Sequence, residues 1–172
     1  MLLATETMFF GGMVGAFLVL RLSAPVWPPP LQPRLPVGVT ALNTLVLLSS
    51  SYMVLRALRA VRRGDGPGLT RWLARTALLG GVFLAVQGAE WVRLVRFGLT
   101  VSSGAYGATF YTLIGTHGVH VFAALTWLTV VLGASALGHY SARDHVGVAT
   151  CAMYWHFVVA VWPVLYLLVY LA

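Results

Sequence analysis

Five apolar runs, each long enough to cross a bilayer, constrain this chain more than any other feature. A span needs about 20 mainly apolar residues at ~1.5 Å rise to cross a hydrocarbon core of ~30 Å. Runs of that kind occupy roughly 2–22, 37–58, 72–96, 107–137 and 146–171. The breaks between them carry chain punctuation. Residues 24–36 (APVWPPPLQPRLP) are too rich in proline for helix and suit polyproline II. RRGDGPG is a tight charged Gly/Pro turn, followed by FGLTVSSGAYG and GHYSARDH at the last two breaks. Composition agrees, since 9% of the 172 residues are charged and mean hydropathy is +0.86. A soluble domain would carry roughly 25% charged residues. The expected fold is an all-α integral membrane bundle of five transmembrane helices, forming one membrane domain over 1–172.

Eleven Arg, no Lys and four acids make the net charge +7. The Arg residues cluster between apolar runs, so they read as topology signals and not as a nucleic-acid surface. Arg56, Arg59, Arg62, Arg63, Arg71, Arg75 and Arg143 fall on one side, against Arg21, Arg34, Arg93 and Arg96 on the other. Seven against four places the N-terminus in the cytoplasm and the C-terminus outside. Trp27, Trp72, Trp91, Trp127 and Trp162 fall near expected span ends, as an aromatic belt would, and Trp155 lies deeper. The opening MLLATETMFF has no basic n-region or small-residue cleavage site and reads as the first span, not as a signal peptide. Cys151, the single cysteine, allows no internal disulfide or cysteine cluster and reads as buried packing.

Ionisable groups at membrane depth cost at least ~2.5–3.5 kcal/mol on insertion scales, so each is a candidate functional residue. Glu6 lies about one turn inside the cytoplasmic edge. It is either hydrated by headgroups or a buried, protonated carboxyl facing a protein or lipid cleft. Glu90 has Arg93 at i+3, which suits a helical ion pair, with Tyr106 or a histidine as further partners. His117 and His120 are one turn apart, and His117 and His156 reach similar depths, about 15 Å from the outer edge. They could meet, as heme ligands or through interhelical hydrogen bonds. Three histidines do not supply pairs at two depths for a di-heme bundle, which favours hydrogen bonding. Gly11, Gly12, Gly15, Gly80, Gly81, Gly115 and Gly118 suit close helix approach. Ser49, Ser50 and Ser51 can bond to their own helix or across to another. With no phosphate loop, nucleophile–base pair or cysteine cluster, the pattern favours a scaffolding subunit over an enzyme.

Specific strings sharpen this. Thr5-Glu6-Thr7-Met8-Phe9-Phe10 resembles the Ser-Glu-x-x-Phe-Phe run of cytochrome c oxidase subunit III. In order follow Trp27-Pro28-Pro29, Leu42-Asn43-Thr44 with VLLSSS, Gln87-Gly88-Ala89-Glu90-Trp91, residues 102–121 (SSGAYGATFYTLIGTHGVHV) and Tyr154-Trp155-His156-Phe157-Val158. These collinear blocks are similar to that family over nearly the whole chain. The resemblance implies a subunit of an aerobic terminal oxidase that binds no heme or copper itself, those groups lying in partner subunits. It implies packing on oxidase subunits I and II, with further respiratory-complex subunits as added partners, and structural phospholipids in a cleft between its helices. It also implies support for proton uptake and core durability, in a bacterial inner membrane and with no nucleic-acid partner. Glu6 and Glu90 take the places of the family's membrane glutamates, as candidates for proton uptake and the lipid cleft. Arg93, Tyr106, His117, His120 and His156 are candidate helix-packing polar contacts.

The chain departs from the pattern twice. It corresponds to the last five of seven spans, and Val159 stands where the family has Asp. The alternatives are the related accessory subunit of a nitric oxide reductase, a heme b membrane anchor, or a small transporter. The last should show paired broken helices or an inverted repeat, and neither is visible.

Overall fold

The computed structural model describes residues 1–29 and 35–171. Among them are five long helices and no strand: α1 Leu2–Ser23, α2 Val37–Arg62, α3 Gly66–Arg96, α4 Gly104–Ala136 and α5 Val146–Tyr166. A π-helical turn, Leu167–Leu171, carries α5 to its end. All five are long and apolar enough to cross a membrane, which makes this a multi-pass membrane protein. Residues 30–34 of the proline-rich segment expected as polyproline II (24–36), Arg34 among them, lie outside the described residues.

Helix ends run past the apolar runs, most of all in α3, which starts at Gly66 where hydropathy predicts 72. The reason is local backbone chemistry. Asp65 caps the helix by accepting from the Gly68 N–H at 2.8 Å, and Pro67 occupies the first turn, where its missing N–H costs nothing. Gly64 completes the turn at φ +74°, a conformation that a Cβ would strain. Hydropathy marks the lipid-embedded part of a helix; hydrogen bonding and capping set its ends.

α2, α3, α4 and α5 form a ring in which each packs on its neighbours, and α2 closes on α5. α1 lies outside this ring against α4 and α5 and buries fully only Phe10 and Phe17. Two indoles knit the ring. Trp155 Nε1 donates to Ser50 Oγ at 3.0 Å, and Trp162 Nε1 to Thr44 Oγ1 at 2.9 Å, both from α5 to α2. Asn43 Nδ2 donates to the Phe83 carbonyl at 3.0 Å, tying α2 to α3. Trp162 is therefore a core residue and not part of an interfacial belt. Its apolar body fills the ring, and its N–H finds a hydroxyl there instead of at the headgroups.

Small residues behave selectively. A Cβ at Gly80 would meet Trp155, and one at Gly118 would meet Trp91 at 3.1 Å. At Gly11, Gly12, Gly15 and Gly81 it would meet nothing within 4 Å, so these do not mediate helix approach within the chain as expected. Ser49 and Ser50 bond back to the Leu45 and Leu47 carbonyls, while Ser51 reaches across to α5.

Candidate functional site

The site centres on the seam where α1 meets the ring at α4. Glu6 Oε2 lies 3.0 Å from His120 Nε2, joining α1 to α4. His120 Nδ1 is 2.7 Å from the Thr116 carbonyl one turn earlier in its own helix. A carbonyl only accepts, so Nδ1 carries a hydrogen and Nε2 is left to face the carboxyl. The carboxyl of Glu6 and the free ring nitrogen of His120 thus face each other as hydrogen-bonding partners across the α1–α4 seam. Pairing two polar groups in this way lowers the cost of holding each of them among apolar helices.

His120 stands sixteen residues from both Gly104 and Ala136, at the midpoint of α4. The Glu6 carboxyl reaches that level although it is four residues from the start of α1. The start of α1 is thus offset along α4, near the middle of that longer helix. The two side chains are 20% and 17% exposed, so the pair looks out of the protein rather than into its core. Phe10 packs edge-on against His120 at 5.0 Å, and Phe9 covers it at 6.2 Å.

Apolar grooves flank α1. One, of about 310 Å³, lies toward α4 and is lined by Met13, Ala16, Phe17, Thr109, Thr112 and Leu113. The other, of about 230 Å³, lies toward α5 between Gly11, Val14, Phe157 and Val161. At the far end of α1, Arg21 Nη1 donates to the Leu168 carbonyl in the π turn at 3.0 Å. α1 is thus pinned at Glu6 and at Arg21, with side grooves between.

The remaining candidates separate. Glu90 and Arg93 form the i, i+3 ion pair at 3.1 Å, with the carboxyl side chain 9% exposed and the arginine 66%. Tyr106 makes no hydrogen bond to Glu90; it packs edge-on against Trp27 at 5.1 Å. His156 Nδ1 bonds the Ser51 hydroxyl at 2.5 Å, linking α5 to α2. His117 and His156 do not meet through a hydrogen bond, because His117 faces α1 and the Trp162 ring. It stacks on Trp162 at 5.1 Å and 26°, with Phe10 edge-on at 6.3 Å, and neither ring nitrogen has a protein partner among the described residues. The expectation of an interhelical hydrogen bond thus fails for His117, where stacking replaces it.

Sequence reasoning missed the Glu6–His120 partnership, the Trp162 bond to Thr44 and the Arg21 clamp, and it named Ser50 and Ser51 as able to bond across without their partners Trp155 and His156. The signal for the first was present, as the only carboxyl on α1 and three membrane histidines. Which histidine faces α1 depends on helix rotation.

The family model described as cytochrome c oxidase subunit III matches residues 1–172. "Cytochrome c oxidase subunit 3" of Synechocystis sp. is 40% identical over 170 residues, covering 98% of this chain and 72% of the relative. The protein of that name from Thermostichus vulcanus is 36% identical over 170 residues, covering 98% and 83%. "Probable cytochrome c oxidase subunit 3" of Nocardia farcinica is 37% identical over 172 residues, again covering 98% and 83%. Together with the five-helix architecture, these matches place the chain in the cytochrome c oxidase subunit III family.

Proposed function

We propose that this chain is the non-catalytic subunit III of an aerobic respiratory oxidase in a bacterial inner membrane, seated on the heme-copper subunit I beside subunit II. The relatives' names favour an oxidase over a nitric oxide reductase. In this reading heme and copper in the partner subunits carry out O2 reduction. This chain holds phospholipid along α1 and supports proton uptake and core durability. The seven-to-four Arg bias supports a cytoplasmic N-terminus, which puts α1 with its start toward the proton-supplying side.

The carrying observation is the Glu6–His120 bond, a carboxyl and an imidazole joined at the seam where α1 meets α4, with apolar grooves on either side of α1. In this reading the carboxyl exchanges protons while the imidazole keeps the partner position occupied. Glu6→Gln separates the two roles, because the amide still donates to Nε2 but cannot exchange charge. In the intact oxidase, Glu6→Gln should keep the subunit bound yet slow turnover or shorten the active lifetime. Turnover, pumping stoichiometry and inactivation half-life all equal to wild type would refute the proton role.

A further inference from the structure

The ring face opposite α1 carries a second amphipathic feature. Along α2, residues 45, 48, 52, 56, 59 and 63 recur at three- and four-residue steps and so share one side of the helix. The side begins with exposed Leu45 and Leu48, passes Tyr52, and ends in Arg56, Arg59 and Arg63. Antiparallel α3 repeats the order from its other end, with Trp72 and Arg75 below exposed Leu78 and Val82.

At the hairpin end, Arg56, Arg59, Arg63, Asp65 and Trp72 enclose a cavity of about 270 Å³. Its geometry is built. The Arg56 guanidinium stands 4.9 Å from the Trp72 ring centre and donates to the Tyr52 hydroxyl at 3.0 Å, and Arg75 lies 4.7 Å from the same indole. Asp65 is occupied by the α3 N-terminus, accepting from Gly68. Among the described residues no arginine here is within 4.0 Å of a carboxylate oxygen. Three guanidiniums against one carboxylate leave a net +2, on the same helix faces as the exposed leucines.

We propose that this face binds an anionic phospholipid, its phosphate held by Arg56, Arg59 and Arg63 and its acyl chains lying along Leu45, Leu48, Leu78 and Val82. Forked guanidiniums suit phosphate oxygens, and the apolar side above them suits the chains, a combination that no soluble anion would use in full.

The test is native mass spectrometry of the full-length chain in mild detergent. It is titrated with phosphatidylglycerol, with phosphatidylcholine of the same acyl chains, and with glycerol phosphate as the soluble headgroup. Phosphatidylglycerol should half-saturate one site at a concentration at least about tenfold below phosphatidylcholine. The preference should vanish in the Arg56→Gln/Arg59→Gln/Arg63→Gln variant. It should also weaken in Arg59→Glu, which alters an exposed side chain, but persist in Arg143→Gln at the other loop on that side. Equal binding of the two lipids, or a preference surviving in both pocket variants, would overturn the proposal. Glycerol phosphate displacing the lipid at comparable concentration would overturn it too, by marking a soluble-phosphate site.

Discussion

Replacing Gly80 by alanine puts a Cβ 2.5 Å from Cη2 and 2.9 Å from Cζ2 of Trp155, and 3.3 Å from Leu125 Cδ1. The indole cannot simply retreat. Trp155 is 1% exposed, and its N–H is committed to Ser50 at 3.0 Å. Forcing an extra methyl into a filled site costs about 1–3 kcal/mol. Displacing the indole from Ser50 adds ~0.6 kcal/mol, with ~1.7 as the largest value seen for such bonds in membranes. The sum is roughly 2–4 kcal/mol. Alanine also gains up to ~1 kcal/mol of helix propensity over glycine. Gly81→Ala shares that gain but points where nothing lies within 4 Å, so the difference between the two variants isolates the clash. At about 2–4 °C per kcal/mol for a chain of this size, Gly80→Ala should melt roughly 4–16 °C below Gly81→Ala. The chain carries its own probe, because Cys151 is the single cysteine and is buried. A thiol-reactive fluorophore therefore reports unfolding. Adding Trp155→Phe should relieve most of the penalty, since the smaller ring vacates the contested space. Gly80→Ala melting with Gly81→Ala, or a Gly80→Ala/Trp155→Phe pair whose effects simply add, would refute this account of the packing.

Two histidine replacements should behave oppositely in the same assay. His156→Leu strips Ser51 of its partner and should lower stability by about 1–3 kcal/mol. His117→Leu gives up stacking on Trp162 but also removes two buried ring nitrogens that have no protein partner among the described residues, so it should cost less than His156→Leu or even stabilise. A clear loss on His117→Leu would show that its nitrogens are satisfied in the membrane. Arg21→Met releases the Leu168 carbonyl, so backbone hydrogen exchange should rise in the second half of α1 and stay unchanged in α3. Uniform exchange across both helices would count against a separately pinned α1.

The five spans were legible because an apolar run of bilayer length has few other fates, and the Glu90–Arg93 pair because i, i+3 neighbours need no knowledge of tertiary structure. Partners across helices were not. α4 and α5 are apolar nearly all round, so the pattern does not say which face turns inward. That rotation sends His120 to Glu6, His156 to Ser51 and His117 onto Trp162. It also decides that Trp162 is core rather than belt. The level at which Glu6 meets α4 is hidden for a related reason. Counting from the start of α1 assumes that helices begin at one level, and α1 is offset along α4.

The most direct test of the central claim is mild-detergent purification of the tagged chain from its native membrane, with an absorption spectrum and identification of what accompanies it. An accessory subunit III should bring down a heme-copper catalytic subunit whose heme bands leave with that partner on separation, while this chain emerges colourless. A separated chain that keeps its own heme band, or that purifies with no heme-copper subunit, would contradict the account.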